Sequence, residues 1–316
     1  MARSASVVVG VLQSRLTGVL ATVGICRYLA ETLRAPLVVD AAELTAPVGV
    51  LVLPWFTVFT VTQLEEWERA IRAARVVICV QNDYSIGTPV ESLSVGWFVT
   101  RAFGDRNRAG KPNVLWTTIP TKVRLGTLDH YMNWNCINYT APGALMRPPG
   151  AGAVYWGAFR KERRSSFDRH CAPGSALTVY SPLQSAKRFA AAYPHLAVRT
   201  KLARVSDLAS HYGATVYLED DRQHREFHSL GARLYEALSM RMAVFVDSAA
   251  QSTFAAGGYN AVEEMVVAGA TDLRARLPLT DKVRRTQQHW HARAAEEQSK
   301  LRFDVLSQIK RIKKEL

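Results

Sequence analysis

Four short stretches carry the side chains best suited to chemistry. The first, Gln81-Asn82-Asp83-Tyr84, leaves the apolar run Val76–Val80. A carboxylate at a strand exit, partly shielded from water, has a raised pKa and can take a proton, so Asp83 is the candidate general base, with Asn82 and Tyr84 beside it. Asn-Asp is equally ordinary turn chemistry. Asp40 and Asp129 are weaker rivals of the same kind. The second stretch, Leu12–Gly18, offers Ser14, Thr17 and Gly18 ahead of a helix, where a ligand can approach backbone N–H groups; a plain strand–helix turn is the alternative. It has neither Gly-x-Gly-x-x-Gly nor Gly-Lys-Ser/Thr, which weighs against dinucleotide and ATP loops.

The third stretch, Gly157-Ala158-Phe159-Arg160-Lys161-Glu162-Arg163-Arg164, puts cations at an expected helix start. The helix dipole disfavours them there, unless an anion such as a diphosphate sits between them; a solvated basic face is the simpler reading. The fourth runs from His224 to Met240. Ser229 can cap the helix Leu230–Met240, leaving free N–H groups for a phosphate. Leu230, Leu234 and Leu238 share a core face, and Arg233 and Glu236 share another stripe. That pair makes either a weak surface salt bridge or a carboxylate that holds a ribose.

These stretches lie at the ends of alternating elements. In the first half, strands are expected at Ser6–Leu12, Leu37–Val39, Gly49–Leu53, Val76–Val80, Val114–Thr117 and Cys136–Tyr139. Helices are expected at Gly18–Leu33, Thr62–Ala73 and Pro89–Phe103. Proline and glycine then crowd residues 141–152, the composition of a linker. The alternation restarts with strands Ala153–Trp156, Leu177–Tyr180, Leu196–Thr200, Thr215–Leu218, Ala243–Val246 and Glu264–Val267. Helices Lys161–His170, Gln184–Tyr193, Val205–Tyr212 and Leu230–Met240 fall between them, and a basic helix, Thr280–Lys313, ends the chain. Apolar strands separated by helices predict parallel sheets covered on both faces, with ligands at the strands' carboxyl ends. The expected division is residues 1–143, a linker at 144–152, a second domain at 153–285 and the basic helix at 286–316.

The 316 residues carry 40 Lys+Arg against 27 Asp+Glu, a net charge of +13 that favours a polyanionic partner. At 21% charged and 48% hydrophobic, the composition argues against disorder. The longest apolar run, Val48–Phe59, is too short for a membrane-spanning helix, and no secretory signal is read at the N-terminus. Cys26, Cys79, Cys136 and Cys171 have no zinc spacing and read as buried, reduced thiols of a cytoplasmic protein.

The stretch Arg233-Leu234-Tyr235-Glu236-Ala237-Leu238-Ser239-Met240-Arg241-Met242-Ala243-Val244-Phe245-Val246 resembles the donor-binding helix and strand of the GT-B, nucleotide-sugar-dependent glycosyltransferases. Arg241 stands where that family has a turn glycine, Ala243 where it has proline, and His228 where retaining members carry a first glutamate. Gly157–Arg164 is similar to the loop whose cations hold the donor diphosphate. The resemblance implies two tandem Rossmann-like α/β domains facing a central cleft, with a C-terminal helix crossing back. Glu236 would bind the donor ribose and Arg160, Lys161 and Arg164 the diphosphate, with Tyr180, His228, Ser229 and Arg233 nearby. The N-terminal domain would supply the acceptor site and its base, Asp83. No cofactor is implied beyond the nucleotide sugar, expected to be a UDP-sugar. With no Asp-x-Asp motif, a divalent metal is not indicated.

The Gly157–Arg163 segment also resembles small bacteriophage glycosyltransferases that act on hydroxymethylated pyrimidines in viral DNA. Separately, Arg101, Arg106, Arg108, Lys111, Lys122 and Arg124 interleave with Trp97, Trp116, Tyr131 and Trp134. That mixture suits a protein that tracks phosphates and stacks a flipped base, or else core aromatics under an ordinary basic surface. The expected partner is double-stranded DNA bearing modified bases, met by a monomer in the cytoplasm (the host's, for a viral protein). A transferase acting on a glycan, lipid or small molecule is the alternative enzyme. The alternative from another class is a nucleic-acid-binding protein that keeps the fold without its activity.

Overall fold

The computed structural model describes residues 6–11, 20–44, 48–55, 64–81, 104–118, 128–142, 150, 152–200, 205–219, 224, 228–277 and 279–316. They form two compact units, one of residues 1–137 and 298–316 and one of residues 138–297. The division falls between Ile137 and Asn138, ahead of the Pro/Gly-rich stretch.

In the first unit, β1 (Val7–Gly10), β2 (Leu37–Val38), β3 (Val50–Trp55), β4 (Val76–Gln81), β5 (Asn113–Thr117) and β6 (Leu128–Tyr131) form a sheet in the order β2-β1-β3-β4-β5-β6. All its pairings are parallel. The runs Val-Val-Val, Val-Leu-Val-Leu and Val-Val-Ile-Cys-Val supply stiff residues that pack on both faces. Pro54 is tolerated inside β3 because β1 pairs only as far as Val52, so no ladder bond is lost on that side. Helix α1 (Leu20–Leu33) packs on β1, and α2 (Leu64–Ala73) drives Trp67 and Ile71 into the core under Leu51, Leu53 and Val77.

The second unit repeats the plan. Its strands β7 (Ala153–Trp156), β8 (Leu177–Tyr180), β9 (Ala197–Arg199), β10 (Ala214–Tyr217), β11 (Ala243–Asp247) and β12 (Val266–Val267) lie in the order β12-β11-β10-β7-β8-β9, again all parallel. Around them lie α3 (Arg164–His170), α4 (Leu183–Ala192), α5 (Ala232–Ser239), α6 (Gln251–Ala256) and α7 (Ala270–Arg276). Successive strands are added outward in opposite directions from the β7/β10 pair, the switch point at which doubly wound sheets take ligands. These two strands pair only through Ala153–Ala214 and Val154–Thr215.

The last helix, α8, is one element of 35 residues, Asp281–Glu315. Val283, Gln287, Trp290 and Ala294 form its buried stripe in the second unit, and Leu301, Val305, Ile309 and Ile312 in the first. Both stripes follow the three-and-four spacing of an amphipathic helix. No helix among the described residues is long and apolar enough to cross a membrane. All four cysteines are buried and outside any disulfide; burial pushes the Cys26 and Cys171 thiols up to about 12.

Several expected elements differ. Cys136–Tyr139 is not a strand: Trp134–Asn138 is a 3-10 helix, and the sixth strand is β6, upstream. Asn133 explains the turn, since its side-chain oxygen accepts from Asn135 N–H at 3.2 Å. Val205–Ser210 and Lys161–Arg163 are 3-10 rather than α-helical, so α3 begins only at Arg164. Glu264–Val267 splits into a 3-10 turn, Glu263–Met265, and the short β12. The expected helix Pro89–Phe103 lies outside the described residues.

Candidate functional site

At the carboxyl edge of the second sheet, β7 ends in Trp156-Gly157 and β10 runs into Leu218-Glu219. Between them lies a buried polar cluster. Glu219, 4% exposed, accepts from Arg163 Nη2 at 2.5 Å through one carboxylate oxygen and from Arg233 Nη1 at 2.9 Å through the other. Both guanidinium groups also reach Tyr155 Oη at 3.2 Å, and Arg233 donates to the Leu218 carbonyl at 2.9 Å and stacks over the Tyr155 ring. Burial pushes the Glu219 carboxyl up, but Arg163, Arg233 and the more distant Arg160 outweigh it and hold it below the usual carboxylate range. One carboxylate thus fixes α5, the Arg163 turn and the strand ends together.

Two glycines let this cluster close. Gly157 has φ +144°, and a Cβ there would stand 3.1 Å from Tyr155 Oη. A Cβ at Gly231 would stand 3.0 Å from a Glu219 oxygen. Gly231 also donates its N–H to Tyr217 Oη at 2.5 Å and is the N-cap of α5, with no side-chain cap. This corrects the expectation for Ser229: the helix starts at Ala232, because Tyr217 pins the chain at Gly231. His228 lies in the preceding loop, exposed and with φ 45°.

Above this floor, Arg160 and Lys161 are exposed. Glu236, one turn into α5, accepts from Trp156 Nε1 at 2.8 Å, which aims its carboxylate from the helix toward the end of β7. Arg233 and Glu236, expected as a pair, are separated by these partners: Arg233 turns inward to Glu219, and Glu236 turns to Trp156. Arg164 is ion-paired to Asp168 at 2.8 Å and lies over the Tyr193 ring. Tyr180 is buried edge-on against Tyr212, and its carbonyl accepts the Gly157 N–H at 3.0 Å, so it holds the loop in place. The edge thus brings together Arg160, Lys161, Arg233 and Glu236 with Glu219, Arg163, Tyr155 and Trp156. Arg163, expected among the exposed cations of the loop, is instead buried on Glu219, and Glu219, Tyr155 and Trp156 were missed. The acidic run that begins at Glu219, directly after an apolar strand, was the available signal.

Asp247 ends β11 nearby in sequence order. Its carboxylate accepts from Arg169 Nη2 at 2.7 Å and from Ala249 N–H at 3.1 Å, with His170 Nε2 at 3.4 Å. Burial raises this carboxyl, but His170, Arg169 and the Ala249 amide more than offset it and hold it well below the usual range. The Asp247 contribution to stability is therefore complete above pH ~4 and is lost as pH falls toward the folded value. Asp247→Asn should cost about 2 kcal/mol at neutral pH, the scale of hydrogen bonds to a charged group. It should also flatten the acid limb of a pH–stability curve measured by urea unfolding; an unchanged limb would assign acid sensitivity elsewhere.

The remaining expected site residues fall differently. Ser14, Thr17, Gly18, Asn82, Asp83, Tyr84, Arg101, Lys122 and Arg124 lie outside the described residues. Arg106 is a correction. It is 1% exposed and donates to Asn113 Oδ1 and to the carbonyls of Ile71, Ala74, Arg75 and Pro112, at 2.6–3.0 Å, so no phosphate can reach it. Arg108 is exposed and ion-paired to Asp105, and Lys111 donates to the Arg72 carbonyl at 2.5 Å. Trp116 and Trp134 are also corrected: both are fully buried and stacked 6.0 Å apart, core rather than base platforms. Tyr131 is 61% exposed. Among the described residues, no group of three or more His, Cys, Asp or Glu could hold a metal ion.

No family model and no curated protein matches the chain. Solved structures do. T4 phage β-glucosyltransferase in complex with UDP and Mn2+ is similar over 98% of this chain and 99% of that one, at TM-score 0.66 and 12% identity. The same enzyme with its UDP-glucose substrate matches over 98% of both chains, at 0.62 and 11%. A β-glucosyltransferase described as a DNA modifying enzyme, with and without uridine diphosphoglucose, matches at 0.68 and 10%, over 98% and 99%. The likeness is one of fold: the chain has the two-domain GT-B architecture of these proteins.

Proposed function

We propose that this protein transfers a sugar from a nucleotide sugar, a UDP-sugar by analogy with the fold's neighbours, to the hydroxyl of a 5-hydroxymethyl-type pyrimidine in DNA. The observation that carries the donor half is the carboxyl edge at the β7/β10 crossover. There the exposed Arg160 and Lys161 stand beside Gly157, and Glu236 is held by Trp156. A diphosphate between the two cations and the first amides of α5 answers their charge, and the Glu236 carboxylate suits the paired hydroxyls of a ribose. Arg164, paired to Asp168, is left to its helix, and Arg233 and Glu219 act as the rigid support beneath.

In the reaction, the acceptor oxygen attacks the anomeric carbon as the bond from that carbon to the diphosphate oxygen breaks. Asp83 takes the acceptor proton, and Arg160 and Lys161 stabilise the charge that builds on the departing diphosphate. The DNA half rests on the net charge of +13 and on the neighbour described as a DNA modifying enzyme. Binding there requires flipping the base out of the stack.

Mass spectrometry of nucleosides from hydroxymethylcytosine or hydroxymethyluracil DNA, treated with protein and UDP-glucose or another UDP-sugar, tests the whole reading. A hexose mass on either base is expected. Donor hydrolysis with no sugar on DNA would move the acceptor to another class, and absence of any donor binding would remove the enzyme reading. Asp83→Asn should lower transfer by at least ~10²-fold with donor affinity intact. Glu236→Ala should weaken donor binding by about tenfold, equivalent to about 1.4 kcal/mol.

A further inference from the structure

Of the cations expected to meet phosphate, Arg106 is buried, Arg108 is paired to Asp105 and Lys111 is held by the Arg72 carbonyl. Positive charge gathers elsewhere in the first unit, on the last turns of α8. Residues 298–316, which belong to that unit, carry Lys300, Arg302, Lys310, Arg311, Lys313 and Lys314 against two acids, Asp304 and Glu315. All six cations are exposed. Six cations against two acids leave +4 of the chain's +13 on this one segment.

The helix sorts these side chains by face. Leu301, Val305, Ile309 and Ile312 are buried. At 3.6 residues per turn, Lys300, Phe303, Leu306, Lys310, Lys313 and Lys314 share a sector of about 140° on the side away from that stripe, and both acids fall outside it. Phe303 is 70% exposed and Leu306 42%, two large apolar side chains held in water among the lysines. The helix that presents them is fastened at its end. Arg75 donates to the Leu316 carbonyl at 3.3 Å, and Arg311 donates to Gln308 Oε1 at 2.8 Å and lies 3.2 Å from His130 Nε2. A bilayer is a poor match, because a helix lying on a membrane needs a continuous apolar face, and that of α8 is engaged in the core. Nucleic acid matches better: ammonium groups answer phosphates, while Phe and Leu are side chains that meet sugars and base edges in the minor groove. Lys300 to Lys314 spans about 21 Å along the helix, the length of roughly six base pairs.

We propose that the outer face of α8, from Lys300 to Lys314, is a docking surface for duplex DNA, which it holds by the phosphate backbone without regard to base sequence. Lys310, Lys313 and Lys314 meet phosphates, and Phe303 and Leu306 lie against the minor groove. The assignment rests on the reading that DNA is the acceptor and names a surface for it that includes none of the donor-side residues.

Fluorescence anisotropy of a short labelled duplex without modified bases, titrated with the full chain at several salt concentrations, tests it. Each phosphate contact contributes about 0.9 to the slope of log affinity on log salt, so the triple variant Lys310→Ala, Lys313→Ala, Lys314→Ala should flatten it by between about two and three. All three positions are exposed, and alanine keeps the helix. A variant with the same loss of charge at exposed positions elsewhere, Lys187→Ala, Arg188→Ala, Arg285→Ala, should keep the wild-type slope. Phe303→Ala should weaken binding by about fivefold with the slope intact, the lower end for an aromatic contact with nucleic acid. An unaltered slope in the α8 variant, equal flattening in the control, or indifference to Phe303→Ala overturns the proposal and leaves DNA as the acceptor. A wild type that binds no DNA, and puts no sugar on it, fails the acceptor reading itself and the surface with it. Co-sedimentation with phosphatidylserine vesicles that the α8 variant loses, without any change in its DNA slope, overturns the proposal in favour of a membrane surface.

Discussion

Replacing Glu219 with alanine is expected to destabilise the second unit by about 3–5 kcal/mol, the loss seen when one partner of a buried ion pair is removed. The carboxylate is the counter-ion of both Arg163 and Arg233, whose side chains are only 9% and 16% exposed. Without it, two guanidinium groups meet at Tyr155 with their shared counter-ion gone. Against a typical domain stability of about 5–15 kcal/mol, that loss is a large share of the total. Glu219→Gln keeps the shape and one acceptor but not the charge, so its loss should be smaller. Urea unfolding of both variants checks the ordering. If Glu219→Ala unfolds within about 1 kcal/mol of the wild type, the cluster is not what joins the ends of β7 and β10. Donor affinity should fall in the folded fraction as well, because Gly157 and the start of α5 lose the group that sets their spacing.

The second large effect is expected at Arg106. Its guanidinium uses all five N–H donors on four carbonyls and one amide oxygen, drawn from the end of α2 and from the segment entering β5. Burial pulls its pKa down to about 10, so it stays charged at neutral pH. Arg106→Ala orphans those buried acceptors and should cost about 3–5 kcal/mol. Lysine, with three donors and no planar fork, should recover only part of that. The alternative assignment, a phosphate contact, makes the opposite prediction: unchanged stability and a salt slope of DNA binding smaller by roughly one. Thermal unfolding of Arg106→Lys together with its DNA salt dependence separates the two. Stability lost with the slope unchanged supports the structural role, and the reverse overturns it.

Arg106 and Arg108 also show how far the sequence could be read. They stand two residues apart in the same basic stretch, and no local feature separates them. One is a fully satisfied buried clamp; the other is 76% exposed and paired to Asp105. The difference comes from carbonyls more than thirty residues away in sequence, which only the docking of α2 against β4 and β5 brings within reach. Trp116 and Trp134 teach the same lesson for aromatics: they interleave with cations in sequence but stack inside the core. Among the donor-side residues, Leu230, Leu234 and Leu238 were legible as core from their spacing, and all are buried. Arg233 and Glu236 looked like partners from theirs and are not, because Glu219 and Trp156 arrive from β10 and β7 to claim them.

The sequence by itself determined the two tandem α/β units, their parallel strands and the long closing helix. Apolar period, Pro/Gly punctuation and amphipathic spacing are local properties that each segment carries with it. Its net charge of +13 was likewise plain, but not its distribution. Only the tertiary structure decided which of those cations are buried in the service of the fold and which stay exposed. A guanidinium becomes a clamp, an ion-pair partner or an anion site according to the carbonyls and carboxylates that meet it, and these come from elements distant in sequence. Arg106 and Arg163 were thereby committed to the interior. Arg160 and Lys161 were left exposed at one edge of the second sheet.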